Sequence, residues 1–174
     1  MSRGGPKVNA VGIDAPLFWS PSGDRTADQI VRKAVTSLGC SGGTVSSVNS
    51  LQGACLIQGM LVAMMCRQRF ADGILITEAH PKALLWLLGK ATSGLPPRGV
   101  MMGDLNEYVA GNIVEGASEH ERDAVLGAIA VFAMESQRTG WQDLYSFDSI
   151  TPLNPPPGYW MPLDVELRHP RNTL

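Results

Sequence analysis

Three carboxylates fall where chemistry is easiest to build. Asp14 closes the strand-like run Val8-Asn9-Ala10-Val11-Gly12-Ile13-Asp14, and Glu78 closes Ile74-Leu75-Ile76-Thr77-Glu78. Asp123 sits in His120-Glu121-Arg122-Asp123-Ala124, at the opening of a helix. Open parallel α/β sheets bind ligands at the carboxyl ends of their strands, so two strand-terminal carboxylates aim at one crevice that a third from a helix N-terminus would complete. Hard ions such as Mg²⁺ or Mn²⁺ prefer carboxylate and water oxygens. Two of them about 4 Å apart activate water and stabilise the leaving oxygen in phosphodiester cleavage, and three carboxylates suffice for one ion. A purely structural account stands beside this: Asp14 capping a turn, Glu78 in a surface pair, Asp123 favouring a helix N-terminus.

His80 and His120 lie within three residues of these carboxylates, close enough to orient water or phosphate, although a capping or hydrogen-bonding histidine is the plainer account of each. Arg25 and Asp28 stand one helical turn apart. Arg25 could meet a phosphate, and an Arg25–Asp28 pair at helical spacing explains the same residues structurally. Zinc is disfavoured by the lack of an HxxxH or Cys-His cluster. The Gly42-Gly43 loop lacks the lysine of a phosphate-binding P-loop, and no GxGxxG follows a strand. Ser20, Ser22 and Cys40 have neither a GxSxG elbow nor a paired histidine, which sets triad hydrolysis aside.

The elements that must position these residues follow from periodicity. Residues 27–38 place Ile30, Val31, Ala34, Val35 and Leu38 at helical spacing, with Gly39 as the stop. Residues 41–50, rich in serine and glycine, form a loop beside the crevice. The stretch 51–69 is apolar on every face and predicts a helix sandwiched between other elements. The strand 73–77 leads into His80-Pro81, where proline at the first helical position starts a helix over 82–88. Residues 91–102 predict a connection and 104–113 a short helix. Ser118-Glu119-His120-Glu121 has the capping-box pattern, and the helix it opens runs to about Arg138, apolar nearly all round and hence deeply packed. Residues 141–174, with Pro155-Pro156-Pro157, predict edge strands and coil, because clustered prolines cannot serve a central ladder.

The 174 residues suit one domain with a substantial core. Fourteen Lys+Arg against 16 Asp+Glu leave a formal charge of −2, without the basic surplus by which an autonomous nucleic-acid binder neutralises phosphates. Cys40, Cys55 and Cys66 form no CxxC pair, which fits a reduced cytosol, and no signal-type segment follows Met1. The longest apolar stretch, residues 54–66, falls short of the roughly 20 residues of a membrane span.

Taken together, Val11-Gly12-Ile13-Asp14-Ala15-Pro16-Leu17, Arg25-x-x-Asp28, Thr77-Glu78-Ala79-His80-Pro81 and His120-Glu121-Arg122-Asp123-Ala124 resemble, in this order, an uncharacterised family of predicted ribonuclease H-like nucleases. The likeness covers most of residues 8–163 and extends to Gly158-Tyr159-Trp160-Met161-Pro162 as the terminal strand. It implies an α/β domain with a mixed sheet flanked by helices. It further implies Asp14, Glu78 and Asp123 as catalytic metal-site carboxylates, Arg25, Asp28 and His80 as supporting or substrate-facing residues, and Mg²⁺ or Mn²⁺ with nucleic acid as ligands. Such folds begin with three antiparallel strands and a helix. Only 13 residues precede Asp14, room for one strand at about 3.3 Å per residue, so the resemblance is to the C-terminal part of the fold. Three accounts remain open, of which the first two are favoured: a fragment or late start, a natural short form that borrows strands by oligomerising, or Asp14 as the leading aspartate of a rearranged site; a short form would expose a sheet edge, which predicts a homo-oligomer. A non-catalytic binding or assembly module is the alternative expectation.

Overall fold

A parallel strand pair whose register brings two chain segments more than 60 residues apart side by side organises the molecule. The computed structural model describes residues 7–20, 23–48, 53–70, 73–89, 102–109, 118–147 and 153–163. β1 (Ala10–Ile13) pairs with β2 (Leu75–Glu78) in parallel, Ile13 opposite Glu78. β2 pairs in parallel with β4 (Gly158–Pro162), and β4 in antiparallel with β3 (Trp141–Asp143). Among the described residues the sheet order is therefore β1-β2-β4-β3, a mixed sheet. The helices are α1 (Thr26–Ser37), α2 (Gly53–Phe70), α3 (Pro81–Leu87) and α4 (Glu119–Glu135). An α/β fold with helices flanking a mixed sheet is thus borne out.

Local signals act as expected at several joints. At α4, the Ser118 hydroxyl accepts from the Glu121 N–H at 3.3 Å and the Glu121 carboxylate accepts from the Ser118 N–H at 2.7 Å, so two otherwise orphaned donors are satisfied. Pro81 is the first residue of α3. Gly39, at φ 91°, lets the chain leave α1, with the Gly39 and Cys40 N–H groups donating to Thr36 O and Val35 O.

Packing is closest where glycines face the sheet. A Cβ on Gly12 would lie 2.2 Å from the Gly127 carbonyl oxygen, so β1 and α4 meet backbone to backbone. A Cβ on Gly59 would lie 2.6 Å from Ala15 Cβ, which seats α2 against the turn after β1. α4 lies across all four strands. Leu126, Ile129, Ala130 and Ala133 on it are buried, in keeping with the deep packing its composition predicts. The core joins these residues to Leu17, Val31, Val35, Ile76, Leu84, Leu85, Leu144 and Met161.

Three expectations are corrected. α2 is not sandwiched: only Leu56, Gly59 and Ala63 are buried, because the helix lies against the β1 end of the sheet and only one stripe meets protein. The strand of the proline-rich tail is not an edge strand, since β4 lies between β2 and β3. Its prolines 155–157 precede the ladder and Pro162 ends it, so Tyr159, Trp160 and Met161 keep the N–H groups a central strand needs. α4 stops at Glu135, and Gln137, at φ 49°, turns the chain before Gly140 is reached. The expected connection over 91–101 lies outside the described residues. Of the short helix expected over 104–113, a 3₁₀ helix at Met102–Tyr108 is described and residues 110–113 are not.

Candidate functional site

The carboxyl ends of β1 and β2 open onto a crevice of about 250 Å³ lined by Asp14, Thr44, Ser46, Ser47, Glu78 and His80 among others. The 3₁₀ turn Gly42–Thr44 and the start of α2 wall it opposite the strands, with Cys55 and Leu56 reaching it from the helix. All three cysteines are free, Cys55 exposed and Cys40 and Cys66 half-buried.

At the floor, Glu78 is sealed. It is 1% exposed and its carboxylate accepts four hydrogen bonds. Arg25 Nη2 donates to Oε1 at 2.7 Å, while Oε2 accepts from Arg25 Nη1 at 2.8 Å, from the Leu17 N–H at 2.9 Å and from the Tyr145 hydroxyl. A carboxylate offers about four lone-pair sites, so Glu78 is close to saturated. Arg25 is saturated as well, because its remaining N–H groups donate to Asp28 Oδ2 at 2.7 Å, to Asp28 Oδ1 at 2.6 Å and to the Tyr145 hydroxyl oxygen at 2.9 Å. All five guanidinium N–H donors are engaged. Its guanidinium carbon lies 5.0 Å from the centre of the Phe18 ring and 5.7 Å from that of Tyr145, so aromatic faces close what the carboxylates leave open.

The electrostatics follow from burial. Burial pushes the Arg25 pKa down, but the Glu78 charge and its hydrogen bonds outweigh it and leave the pKa above its ordinary value. Burial raises the Asp28 carboxyl against the lowering influence of Arg25. The Tyr145 phenol is raised well above its ordinary value by burial and then by Glu78, which keeps it a hydroxyl donor.

Asp14 and Asp123 stand apart from this knot. Ile13, not Asp14, shares the register and face of Glu78, so Asp14 leaves the strand one pleat later. It is exposed at the rim, and its pKa is raised by the protein wall that desolvates it, with the Asp123 and Glu78 charges adding to the rise and His80 and Lys82 opposing it. The Gly12–Gly127 contact explains why Asp123 is near, since Asp123 lies one turn before Gly127 on α4. Asp123 is half-buried, with Arg122 Nη2 at 3.2 Å from its Oδ1. His80 Nε2 is 2.8 Å from the Thr44 carbonyl oxygen, which can only accept, so Nε2 carries the hydrogen and Nδ1 is the ring's remaining proton site. His120 is exposed at the second position of α4.

The sequence-derived residues thus separate into two sets. Glu78, Arg25 and Asp28 come together in a buried ion cluster, as the helical-spacing account of Arg25 and Asp28 expected. Asp14 and His80 line the crevice, and Asp123 neighbours Asp14. Among the described residues no group of three or more His, Cys, Asp or Glu side chains is arranged to hold a metal ion. Mg²⁺ keeps several waters and is commonly held by one or two protein carboxylates, the donor type that Asp14 offers at the crevice. Sequence reasoning missed Tyr145, which lies in the tail 67 residues from Glu78 and carried no local signal. It also missed the Leu17 N–H and the Thr44 carbonyl, which are backbone groups that no residue type announces.

Compared with protein-family models, with curated proteins and with solved structures, the chain matches none. No helix among the described residues is long and apolar enough to cross a membrane.

Proposed function

We propose that the crevice is the site of a ribonuclease H-like, divalent-metal-dependent nuclease acting on phosphodiester bonds, with Asp14 and Asp123 as the metal-facing carboxylates and Glu78 as the structural anchor beneath them. One observation carries the reading: Asp14 leaves the carboxyl end of a parallel strand pair into an open crevice that His80 also lines. Burial raises the Asp14 pKa and the Asp123 and Glu78 charges add to the rise, so a cation at Asp14 would favour its ionised form. A bound Mg²⁺ or Mn²⁺ would polarise the phosphoryl oxygen and lower the pKa of a water.

This chain's own residues would orient and hold. Glu78 ties the end of β2 to the Leu17 turn and to α1, which fixes where Asp14 emerges from β1. His80, steered by Thr44, presents Nδ1 as a proton site near Asp14. Thr44, Ser46 and Ser47 line the crevice, and the Ser46 and Ser47 hydroxyls, which donate to Gly43 O and Gly23 O, would accept from sugar hydroxyls. Arg25 holds Glu78 and Asp28 in place and has no N–H left for a phosphate.

Calorimetric titration with Mn²⁺, paired with Mn²⁺-dependent cleavage of oligonucleotides, tests the reading. Wild type and Glu78→Gln are expected to bind the ion, whereas Asp14→Asn and Asp123→Asn lose both binding and cleavage. A wild type that binds no Mn²⁺, or an Asp14→Asn variant that cleaves normally, removes the proposal. The saturation of Glu78 favours a second reading, a non-catalytic binding module that keeps these motifs as structure. Mn²⁺ binding without cleavage of any DNA or RNA strand would select it.

A further inference from the structure

α1 supports the crevice at two points. Arg25, at its N-terminal cap, grips Glu78 on the floor. Arg32 lies seven residues on, two turns later on the same face, and grips the loop that forms the opposite wall. Arg32 Nε donates to the Val45 carbonyl oxygen at 3.0 Å. Its Nη1 and Nη2 donate to Asp24 Oδ2 at 2.9 Å and to Asp24 Oδ1 at 3.0 Å, a two-pronged contact that fixes the guanidinium plane and with it the direction of Nε.

The loop needs this hold because its own structure is one 3₁₀ turn, Gly42–Thr44. The buried Val45 side chain sets how deep the loop sits, but not where its carbonyls point. Thr44 Oγ1 lies 3.1 Å from Cys40 Sγ, a weak partner, and the Ser47 hydroxyl donates to Gly23 O. The Thr44 carbonyl, which receives His80 Nε2–H at 2.8 Å, is separated from the Val45 carbonyl only by the φ and ψ of Val45. Whatever turns one carbonyl turns the other. His80 stands two residues beyond Glu78, so Arg25 secures the near side of this joint and Arg32, through the loop, the far side.

We propose that Arg32 is a positioning residue for His80: by holding the Val45 carbonyl it aims the Thr44 carbonyl at Nε2 and keeps Nδ1 as the ring's proton site for the crevice. Its effect on catalysis rests on the nuclease reading above, whereas the placement of the ring does not. Arg32 acts through the loop and not on a ligand, since it does not itself line the crevice and Asp24 already meets its charge. The Arg32 and Asp24 side chains are 28 and 33% exposed, and an ion pair so placed contributes little to stability. Loss of Arg32 should therefore show in the geometry of His80 more than in the fold.

Nitrogen-15 magnetic resonance of the histidine rings in the full chain tests the clamp without metal or substrate. The wild-type His80 Nε2–H is expected to be visible and protected from exchange with water. In Arg32→Gln, with unchanged far-UV circular dichroism, its exchange should rise by ~10-fold, as for the loss of one ordinary hydrogen bond. Asp24→Asn, which frees the guanidinium plane, should raise it by less. A wild type without a protected Nε2–H, or wild-type exchange in Arg32→Gln, overturns the proposal. Should Arg32→Gln fail to fold, wild-type exchange in Asp24→Asn overturns it equally. In Mn²⁺-dependent cleavage, Arg32→Gln is expected to lower kcat by ~10–100-fold with KM and Mn²⁺ affinity unchanged. A raised KM at unchanged kcat would make Arg32 a substrate contact and overturns it too. A wild type that binds no Mn²⁺ ends the nuclease reading alone, and ring exchange then decides the clamp.

Discussion

Glu78 and Asp14 leave adjacent parallel strands within one residue of register, yet they lead opposite lives. Glu78 has four donors and almost no solvent, while Asp14 is exposed at the rim of the crevice, its pKa raised by burial, with His80 opposing and Asp123 adding to the rise. The difference teaches that a strand-terminal carboxylate is defined by the helix that comes to meet it. α1 brings a guanidinium and Asp28 to Glu78, whereas α4 brings Asp123 to Asp14. One set is closed and saturated within the chain, and the other stays open to solvent, with Arg122 at 3.2 Å from Asp123 as its close ion pair.

The contrast breaks most visibly at Arg25. Arg25→Ala leaves two buried carboxylates without their cation and should cost about 3–5 kcal/mol in urea unfolding, a large share of the stability of a typical domain. A loss under about 1 kcal/mol would mean that the cluster is wet and the division into sealed and open sets is false.

Glu78→Gln is the next test, with an expected loss of about 1–3 kcal/mol, since an amide nitrogen turned toward Arg25 or Tyr145 sets donor against donor while Arg25 keeps Asp28. Any fall in Mn²⁺-dependent cleavage should then track the unfolded fraction and vanish at low temperature. Asp123→Asn should do the reverse, changing stability by no more than about 0.5 kcal/mol while removing Mn²⁺ binding in the calorimeter.

The smallest effect sharpens the comparison through pH. The folded state raises the Asp14 pKa above 3.8, so ionising this carboxyl costs folding free energy. The folded state therefore loses stability as pH rises from 3.8 through the raised value, and the penalty is constant beyond it. Asn never ionises. Asp14→Asn should accordingly melt higher than wild type at neutral pH, by a degree or so at this exposed site, and show no advantage below pH 3.8. An advantage that persists into acid would assign the gain to packing instead of charge.

Much of the frame was legible because its signals are local. Ser118 and Glu121 sit three residues apart and cap one helix, Pro81 follows a strand end directly, and β1 and β2 alternate with helices as a parallel pair must. The candidate residues were legible as types and places, but their partners were not. Glu78 meets Arg25 across 53 residues and Leu17 across 61, separations over which spacing carries no information. The exposure of α2 was hidden for a related reason. Apolar composition on all faces says that a helix wants cover, not that the rest of the chain supplies it. The central place of β4 was masked by prolines that turn out to flank the ladder.

The Glu78 cluster also bears on how the molecule assembles in time. Its donors come from segments 53, 61 and 67 residues away, so long loops must close before the carboxylate finds a partner. Until then Glu78 is better left in water, so the end of β2 is expected to dock late, after α1 and the Leu17 turn. Interactions absent from the transition state act on the escape rate, so the cluster works as a latch. Weakening it should leave the refolding rate nearly untouched and let the native protein open sooner.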